Sequence, residues 1–108
     1  MEERITIHVL PSVIDYLDEL VFNLYQNEYF GFVESSENYV EKIYNSIPEL
    51  ILNQPHKISP PELQKHGKFY ISYSSNKRTT WYIFFNKRAH RYLIKFITNN
   101  HVPNAQFL

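Results

Sequence analysis

The start of the chain changes from a strand pattern to a helical pattern. Over residues 4–9, apolar side chains occupy every second position, which predicts a first strand with one buried face. Beyond Ser12 the apolar spacing becomes three and four residues, and Asp15 stands three residues after Ser12, as in a capping box. This pattern predicts a first helix that ends near Gly31, which can supply a left-handed cap. Its predicted buried stripe consists of Val13, Ile14, Leu17, Leu20, Val21 and Leu24.

A second helical stripe and a proline-rich connector follow. The second helix is predicted to begin at the Ser35-Ser36 pair, and Pro48 is expected to interrupt or re-angle it. Its predicted buried residues are Tyr39, Val40, Ile43, Tyr44 and Ile47. Residues 53–66 are predicted to form a connector, because prolines recur through them. Within the connector, residues 59–62 are typical of a helix start with a serine N-cap, so we expect one helical turn that Gly67 closes.

Three further strand patterns occupy the rest of the chain. Residues 68–73, 78–85 and 91–98 are rich in aromatic and β-branched side chains. Polar clusters at residues 74–77 and 86–89 separate these segments as turns. Connections this short favour an antiparallel meander.

The predicted element order is β-α-α-β-β-β within a single domain, residues 1–108. Since the apolar stripes of both helices need a partner surface, the predicted fold class is α+β. The helix hairpin is expected to pack on one face of a mostly antiparallel four-stranded sheet. By alternation, Trp81, Ile83 and Phe85 share one face of the third strand, and this face is expected to meet the helices. The opposite face is then predicted to be a surface of basic and aromatic side chains.

Composition excludes several classes of protein. The absence of cysteine removes disulfide scaffolds, thiol catalysis and cysteine-ligated zinc, and favours a reducing compartment such as the cytoplasm. With Gly31 and Gly67 as its only glycines, the chain has no Gly-rich phosphate loop. No apolar run approaches the ~20 residues of a membrane span, and the acidic N-terminus is unlike a signal peptide. The histidines are scattered, so neither a metal site nor a cofactor is expected.

The formal net charge is zero, but the charges are segregated along the chain. All 11 carboxylates lie between Glu2 and Glu62 together with three bases, which gives this part a net charge of −8. Residues 63–108 carry eight bases and no carboxylate, a net charge of +8. Such a basic half suggests an anionic partner, and the alternative is that the two halves pack together and neutralise each other.

Basic residues interleaved with tyrosines in the last three strands are typical of a surface that binds single-stranded nucleic acid. The candidate nucleic-acid-binding residues are Lys68, Lys77, Tyr82, Arg91 and Lys95. Cleavage of RNA through its own 2′-hydroxyl requires cations that stabilise extra charge on phosphorus, and proton transfer at two oxygens. Arginine or lysine can supply the first, and histidine the second. The alternative role is cross-strand packing for the tyrosines, and solubility for turn bases such as Lys87 and Arg88.

The element order and three segments resemble the RelE/ParE toxin superfamily of bacterial toxin–antitoxin systems. Residues 67–73 (GKFYISY) resemble the strand that follows a Gly-ended connector in this family. Residues 78–85 (RTTWYIFF) resemble its arginine-led strand, and residues 92–97 (YLIKFI) resemble its last strand. The architecture is similar over the whole chain, and the residue-level likeness covers about a third of it.

This resemblance implies a toxin that a cognate acidic antitoxin holds inactive in a heteromeric complex. Members similar to RelE cleave mRNA in the ribosomal A site, whereas members similar to ParE inhibit DNA gyrase. On this basis Arg78 corresponds to the strand-leading arginine that stabilises the transition state, and His101 lies near the C-terminal acid/base position. Lys68 and Lys77 correspond to lysines that contact RNA. We expect metal-independent, ribosome-dependent mRNA cleavage, and the alternatives are gyrase inhibition and a non-catalytic binding module that kept the fold.

Overall fold

The computed structural model of the chain describes residues 4–26, 33–75, 77, 79–101 and 106–108. The regular elements in these residues are two long helices, a short 3-10 helix and five strands. In chain order they are β1 (Thr6–Val9), α1 (Pro11–Gln26), α2 (Val33–Asn53), β2 (Lys57–Ile58), the 3-10 helix (Pro61–His66), β3 (Phe69–Ser74), β4 (Thr80–Arg88) and β5 (Arg91–Asn99). The fold class is therefore α+β, with a helix pair packed on a mixed sheet.

The strands form one sheet in the order β1-β5-β4-β3-β2. β1 runs parallel to β5, and the other three pairings are antiparallel. The predicted strand number of four is wrong, although the sheet is mostly antiparallel as expected. The additional strand, β2, lies in the predicted connector, where Lys57 pairs with Tyr70 and Ile58 with Phe69. Two residues are too few to show a periodic pattern, so no local signal marks this edge strand.

The helix pair covers one face of the sheet and buries the centres of both apolar stripes. The helix residues in the core are Val13, Leu17, Val40, Ile43, Ile47 and Ile51. Ile14 and Tyr44, which the sequence predicts to be buried, are 41% and 43% exposed because they lie at the margins of these stripes. The side chain of Leu24 lies outside the described part of the chain. None of the described helices is both long and apolar enough to cross a membrane.

The helix boundaries differ from the predicted ones at the starts of α1 and α2. α1 begins at Pro11, so Ser12 is inside the helix rather than its cap, and the fixed φ of proline suits a first turn. α2 begins at Val33, before the predicted serine pair. The predicted end of the first helix near Gly31 lies outside the described residues.

Of the two predicted effects of Pro48, an interruption or a change of angle, the interruption is wrong, because α2 continues through Pro48 to Asn53. Proline in a helix interior costs about 3 kcal/mol, because it removes one hydrogen bond and clashes with the preceding turn. Ile47 and Ile51 on either side are 2% and 3% exposed. Each fully buried aliphatic side chain contributes about 1.5–3 kcal/mol, so the packing of these two isoleucines offsets the proline.

The predicted inner face of β4 forms the centre of the core, which confirms the face assignment. Trp81, Ile83 and Phe85 are 2%, 0% and 0% exposed and pack in the same cluster as the helix residues. The indole Nε1 of Trp81 donates a hydrogen bond of 3.1 Å to the hydroxyl of Tyr39 in α2. That hydroxyl also lies 2.7 Å from the Oγ of Ser75, so the helix layer is tied to the residues that follow β3.

The 3-10 helix packs against the opposite face of the sheet, which the sequence predicts to be a basic surface. The ring of His66 stacks on that of Phe96 in β5 with their centroids 3.9 Å apart. Leu63 and Phe84 are 1% and 0% exposed, yet neither belongs to the core under the helices. The middle of this second face is therefore a small apolar core of its own.

The predicted helical turn in the connector is confirmed, but its cap is not. Gly67 closes the 3-10 helix, and its backbone N–H donates to the carbonyl oxygen of Gln64. Pro60 rather than Ser59 precedes the first turn, and no described side chain caps it. Within the described part of the chain, the Ser59 hydroxyl is buried without a hydrogen-bond partner, while its backbone N–H donates to the carbonyl of Lys68 at 2.8 Å.

The β4–β5 hairpin turns at Ala89 and His90 rather than over residues 86–89, so β4 extends to Arg88. Ala89 has a φ of 55°, a left-handed conformation that costs a residue with a Cβ about 1–2 kcal/mol. A register shift in the ladder leaves Lys95 in β5 without a partner in β4. Such a bulge bends the strand and re-aims the side chains around it.

Candidate nucleic-acid interface

The predicted site residues lie mainly toward the two ends of the long strand β4. One end, which we call the hairpin end, carries Lys87, Arg88 and Arg91 at the β4–β5 turn. The other end, which we call the His101 end, lies where β4 begins and β5 has ended, and it carries Lys77, Thr79 and His101. Eight residue steps separate the first and last residues of β4, which is roughly 26 Å at ~3.3 Å per residue. Groups at the two ends therefore cannot contact the same phosphate, whereas one extended polynucleotide can reach both.

Two arginines face each other at the hairpin end. Arg88 pairs with Arg91 in the β4–β5 ladder, and His8 lies beside Leu93 on the neighbouring strand β1. These residues line a shallow cavity of about 240 Å³ together with Asn86, Lys87 and Tyr92. Like charges directly opposite each other destabilise a sheet, and neither guanidinium has a hydrogen bond or ion pair in the described part of the chain. This end of the sheet therefore attracts an anion such as a phosphate group.

The two lysines at the hairpin end are held against an aromatic ring. The Nζ of Lys87 donates to Nδ1 of His56 at 2.9 Å and lies 4.7 Å from the ring centroid of Phe69. His56 Nε2 lies 2.8 Å from the carbonyl oxygen of Ile51, which can only accept, so Nε2 carries the ring hydrogen. The Nζ of Lys68 lies 5.6 Å from the same Phe69 centroid. Cation–π attraction thus holds two positive charges at the ring of Phe69, and Lys87 also lines the cavity of the arginine pair.

The candidate acid/base residue is oriented by its neighbours at the His101 end. His101 Nε2 lies 3.1 Å from Oγ1 of Thr79, and the His101 backbone N–H donates to Oδ1 of Asn99 at 2.8 Å. These contacts leave Nδ1 available for proton transfer. Lys77 is exposed at the same end. Arg78, the other candidate catalytic residue, directly precedes Thr79 in the sequence and lies outside the described residues.

Tyr82 and Lys95 lie between the two ends. Tyr82 is half-buried in β4 opposite Ser72 and Thr98, and its ring meets that of Tyr70 edge-to-face at 6.1 Å. Part of the Tyr82 ring is therefore used in cross-strand packing, as the alternative interpretation of the tyrosines expects. Lys95 is half-buried at the bulge in β5.

His66 is a further titratable group on the sheet face opposite the helix pair, and it is absent from the site residues that the sequence predicts. Burial lowers the pKa of its imidazole, and the positive charges of Lys65 and Lys95 lower that pKa further. The ring is therefore neutral at pH 7 and able to accept a hydrogen bond as well as donate one. Only its stacking on Phe96 reveals this position, because the two residues belong to elements far apart in the sequence.

The structure thus divides the predicted nucleic-acid-binding residues into three groups rather than one pocket. Lys68 and Arg91 lie at the hairpin end, Lys77 lies at the His101 end, and Tyr82 and Lys95 lie between them. Within the described ranges, no cluster of three or more His, Cys, Asp or Glu side chains could hold a metal ion. The arrangement presents positive charge at two separate ends of β4 and a histidine at one of them.

No family model, no curated protein and no solved structure matches this chain.

Proposed function

We propose that this protein is a toxin of the RelE/ParE type that binds RNA along its sheet and cleaves mRNA on the ribosome. The observation that carries the proposal is the contact between Thr79 and His101. Thr79 directly follows Arg78 in the sequence, so the candidate proton donor His101 lies beside the neighbour of the candidate catalytic arginine. Arg88 and Arg91 at the hairpin end, which have no ion pair among the described residues, supply the electrostatic attraction for a phosphate backbone. The resemblance of three strand segments to that superfamily supports the same assignment.

Cleavage of RNA by its own 2′-hydroxyl needs a fixed cation, a proton acceptor and a proton donor. The 2′-oxygen gives its proton to solvent water as it attacks phosphorus, the bond from phosphorus to the 5′-oxygen breaks, and that leaving oxygen gains a proton from the donor. In this proposal the Arg78 guanidinium contacts two non-bridging oxygens and stabilises the extra negative charge of the transition state. Protonated His101 donates from Nδ1 to the leaving oxygen while its Nε2–H bonds Thr79.

In the same proposal, an acidic antitoxin segment holds the protein inactive by covering the basic residues of β4 and β5. The motivation is the +8 charge of residues 63–108, which steers an anionic chain toward the sheet. We expect the product of a neighbouring gene to co-purify with this protein, with an affinity that falls as salt is raised. Binding that ignores salt and depends on the acidic helices instead would contradict this arrangement.

The cleavage reaction is tested with Arg78→Ala and His101→Gln, and with Lys42→Ala in α2 as the matched control on the far side of the protein. Purified proteins are added to translating ribosomes, and new mRNA ends are mapped over time. We expect the rate to fall about 10²–10³-fold in Arg78→Ala and at least about 10²-fold in His101→Gln. Lys42→Ala should cleave like the wild type, because an exposed single charge contributes little.

Thermal unfolding of each variant establishes that the fold is intact before rates are compared. Equal cleavage by the wild type and both site variants would refute the proposed roles of Arg78 and His101. A folded wild type that cleaves no mRNA but inhibits DNA gyrase would refute the nuclease and support the ParE-type alternative.

A further inference from the structure

The outer side of the helix pair carries an apolar groove that the proposed RNA chemistry does not use. The groove encloses about 420 Å³ between α1 and α2. Leu17 and Val40 form its buried floor, and the half-exposed Ile14 and Tyr44 form walls at one end. Its lining residues recur at three- and four-residue spacing over two helical turns of each helix, so the groove is about 10 Å long.

Large apolar side chains are unusually exposed around this groove. Ile14, Phe22 and Tyr44 are 41%, 59% and 43% exposed, and Phe22 lies one turn after Asp18, which lines the groove. Together they make half of the exposed large hydrophobic side chains in the described part of the chain. Grouped apolar exposure with a polar rim marks an interaction site rather than ordinary surface.

The rim of the groove is acidic on both sides. Asp18 of α1 and Glu37 and Glu41 of α2 line it, and none of these carboxylates has a hydrogen bond or ion pair within the described residues. The two helices carry seven carboxylates and a single base, Lys42. Carboxylates that face each other across a groove repel, and a partner that brings positive charge between them removes this repulsion.

We propose that this groove binds an amphipathic basic helix of another protein. Its apolar stripe, at spacing i, i+3, i+4 and i+7, packs on the floor between α1 and α2, as in other helix-in-groove complexes. Lysine or arginine side chains beside that stripe pair with Asp18, Glu37 and Glu41. The groove shares no lining residue with the cavity at the hairpin end, so such a partner leaves Arg88 and Arg91 free.

The probe is a fluorescein-labelled helical peptide of about 18 residues, built from leucine at that spacing and lysine elsewhere. A peptide with glutamate in place of lysine is the control ligand, and fluorescence anisotropy with the full chain measures binding. Glu37→Lys/Glu41→Lys reverses two charges of the rim, and Glu49→Lys reverses one charge in α2 away from the groove. Ile14→Ser removes an apolar wall, and Leu52→Ser removes a side chain that is 62% exposed but lies outside the groove.

The wild type should bind the lysine peptide and not the glutamate peptide. Rim reversal and Ile14→Ser should each weaken the lysine peptide at least about tenfold, whereas Glu49→Lys and Leu52→Ser should change its affinity less than about twofold. The rim-reversed variant should in turn bind the glutamate peptide.

Three results would overturn the proposal. No binding of the lysine peptide, or equal weakening by Glu49→Lys and by rim reversal, would show that the groove does not select a basic helix. A wild-type dimer that Tyr44→Ser dissociates in sedimentation experiments would show that a second copy of this chain occupies the groove instead.

Discussion

Replacing Gly67 with alanine tests how closely the 3-10 helix is held against the sheet. Gly67 has a φ of 151°, and an added Cβ would lie 2.7 Å from the backbone nitrogen of Phe85 and 3.1 Å from the Cβ of Phe84. The positive φ costs a residue with a Cβ about 1–2 kcal/mol, and overlap in a packed region costs about 1–3 kcal/mol more. We therefore expect Gly67→Ala to lower the free energy of unfolding by at least ~2 kcal/mol. For a domain of this size, that change lowers Tm by at least about 8 °C.

The measurement uses the only tryptophan of the chain, Trp81, which is buried in the core. Urea unfolding followed by its fluorescence gives the free energy, and an unchanged slope against urea shows that the unfolding reaction is the same. Ala89→Gly is the matched control, because it makes the reverse change at a φ of 55° in an exposed turn. Ala89→Gly removes the cost of the positive φ but adds the conformational entropy that glycine loses on folding. The net effect should raise the free energy of unfolding by about 0.5–1 kcal/mol. If Gly67→Ala unfolds at the same urea concentration as the wild type, the close approach of Gly67 to β4 is refuted.

Three other predictions address the core, the basic surface and the half-buried His66. Trp81→Ala should lower the free energy of unfolding by about 3–5 kcal/mol, whereas Phe22→Ala, at a side chain that is 59% exposed, should lower it far less. An unchanged Tm in Trp81→Ala would mean that Trp81 lies on the face of β4 that points away from the helices. Arg88→Ala/Arg91→Ala should reduce the slope of log affinity against log salt for single-stranded RNA by about 1.4, and an unchanged slope would remove both arginines from the interface. Because the fold lowers the pKa of His66, the native state binds fewer protons than the unfolded chain as the pH falls below the unfolded-state pKa of 6.5. The contribution of His66 to the free energy of unfolding is therefore complete near pH 7 and is lost as the pH falls through and below 6.5. His66→Phe keeps an aromatic ring in the stack and should lose less stability than the wild type between about pH 7 and pH 5 in urea titrations; equal losses would contradict this role.

Periodicity in the sequence determines most of the elements, because it reports which side of each element is buried. Trp81, Ile83 and Phe85 alternate in the sequence and share the core face of β4, since side chains on a strand point to opposite faces in turn. The helical turn before Gly67 is also predictable, because its prolines and glycine act on their own backbone angles. Charge is also divided along the chain, with seven of the 11 acids on α1 and α2 and eight of the 11 bases in residues 63–108.

Features that depend on contacts between distant segments are not predictable in this way. Pro48 stays within α2 because Ile47 and Ile51 pack against the sheet, and no local pattern reports the strength of that packing. β2 exists because the edge of β3 is available to pair with two extended residues. The 3-10 helix covers the middle of the second sheet face, where Leu63 and Phe84 are both buried. It therefore splits the basic surface, which alternation alone predicts to be continuous.

The candidate site also combines features that the sequence predicts with features that only the tertiary structure decides. The sequence by itself singles out the residue types, since a basic half with interleaved tyrosines suits a nucleic acid whatever the strand order. Tertiary structure decides that His101 meets Thr79 while Lys68 and Arg91 lie at the other end of β4. It also decides that the acidic residues of α1 and α2 flank an apolar groove. The physical reason is that strand pairing and the path of a connector are set by the burial of all elements together, whereas periodicity records only the burial of each element by itself.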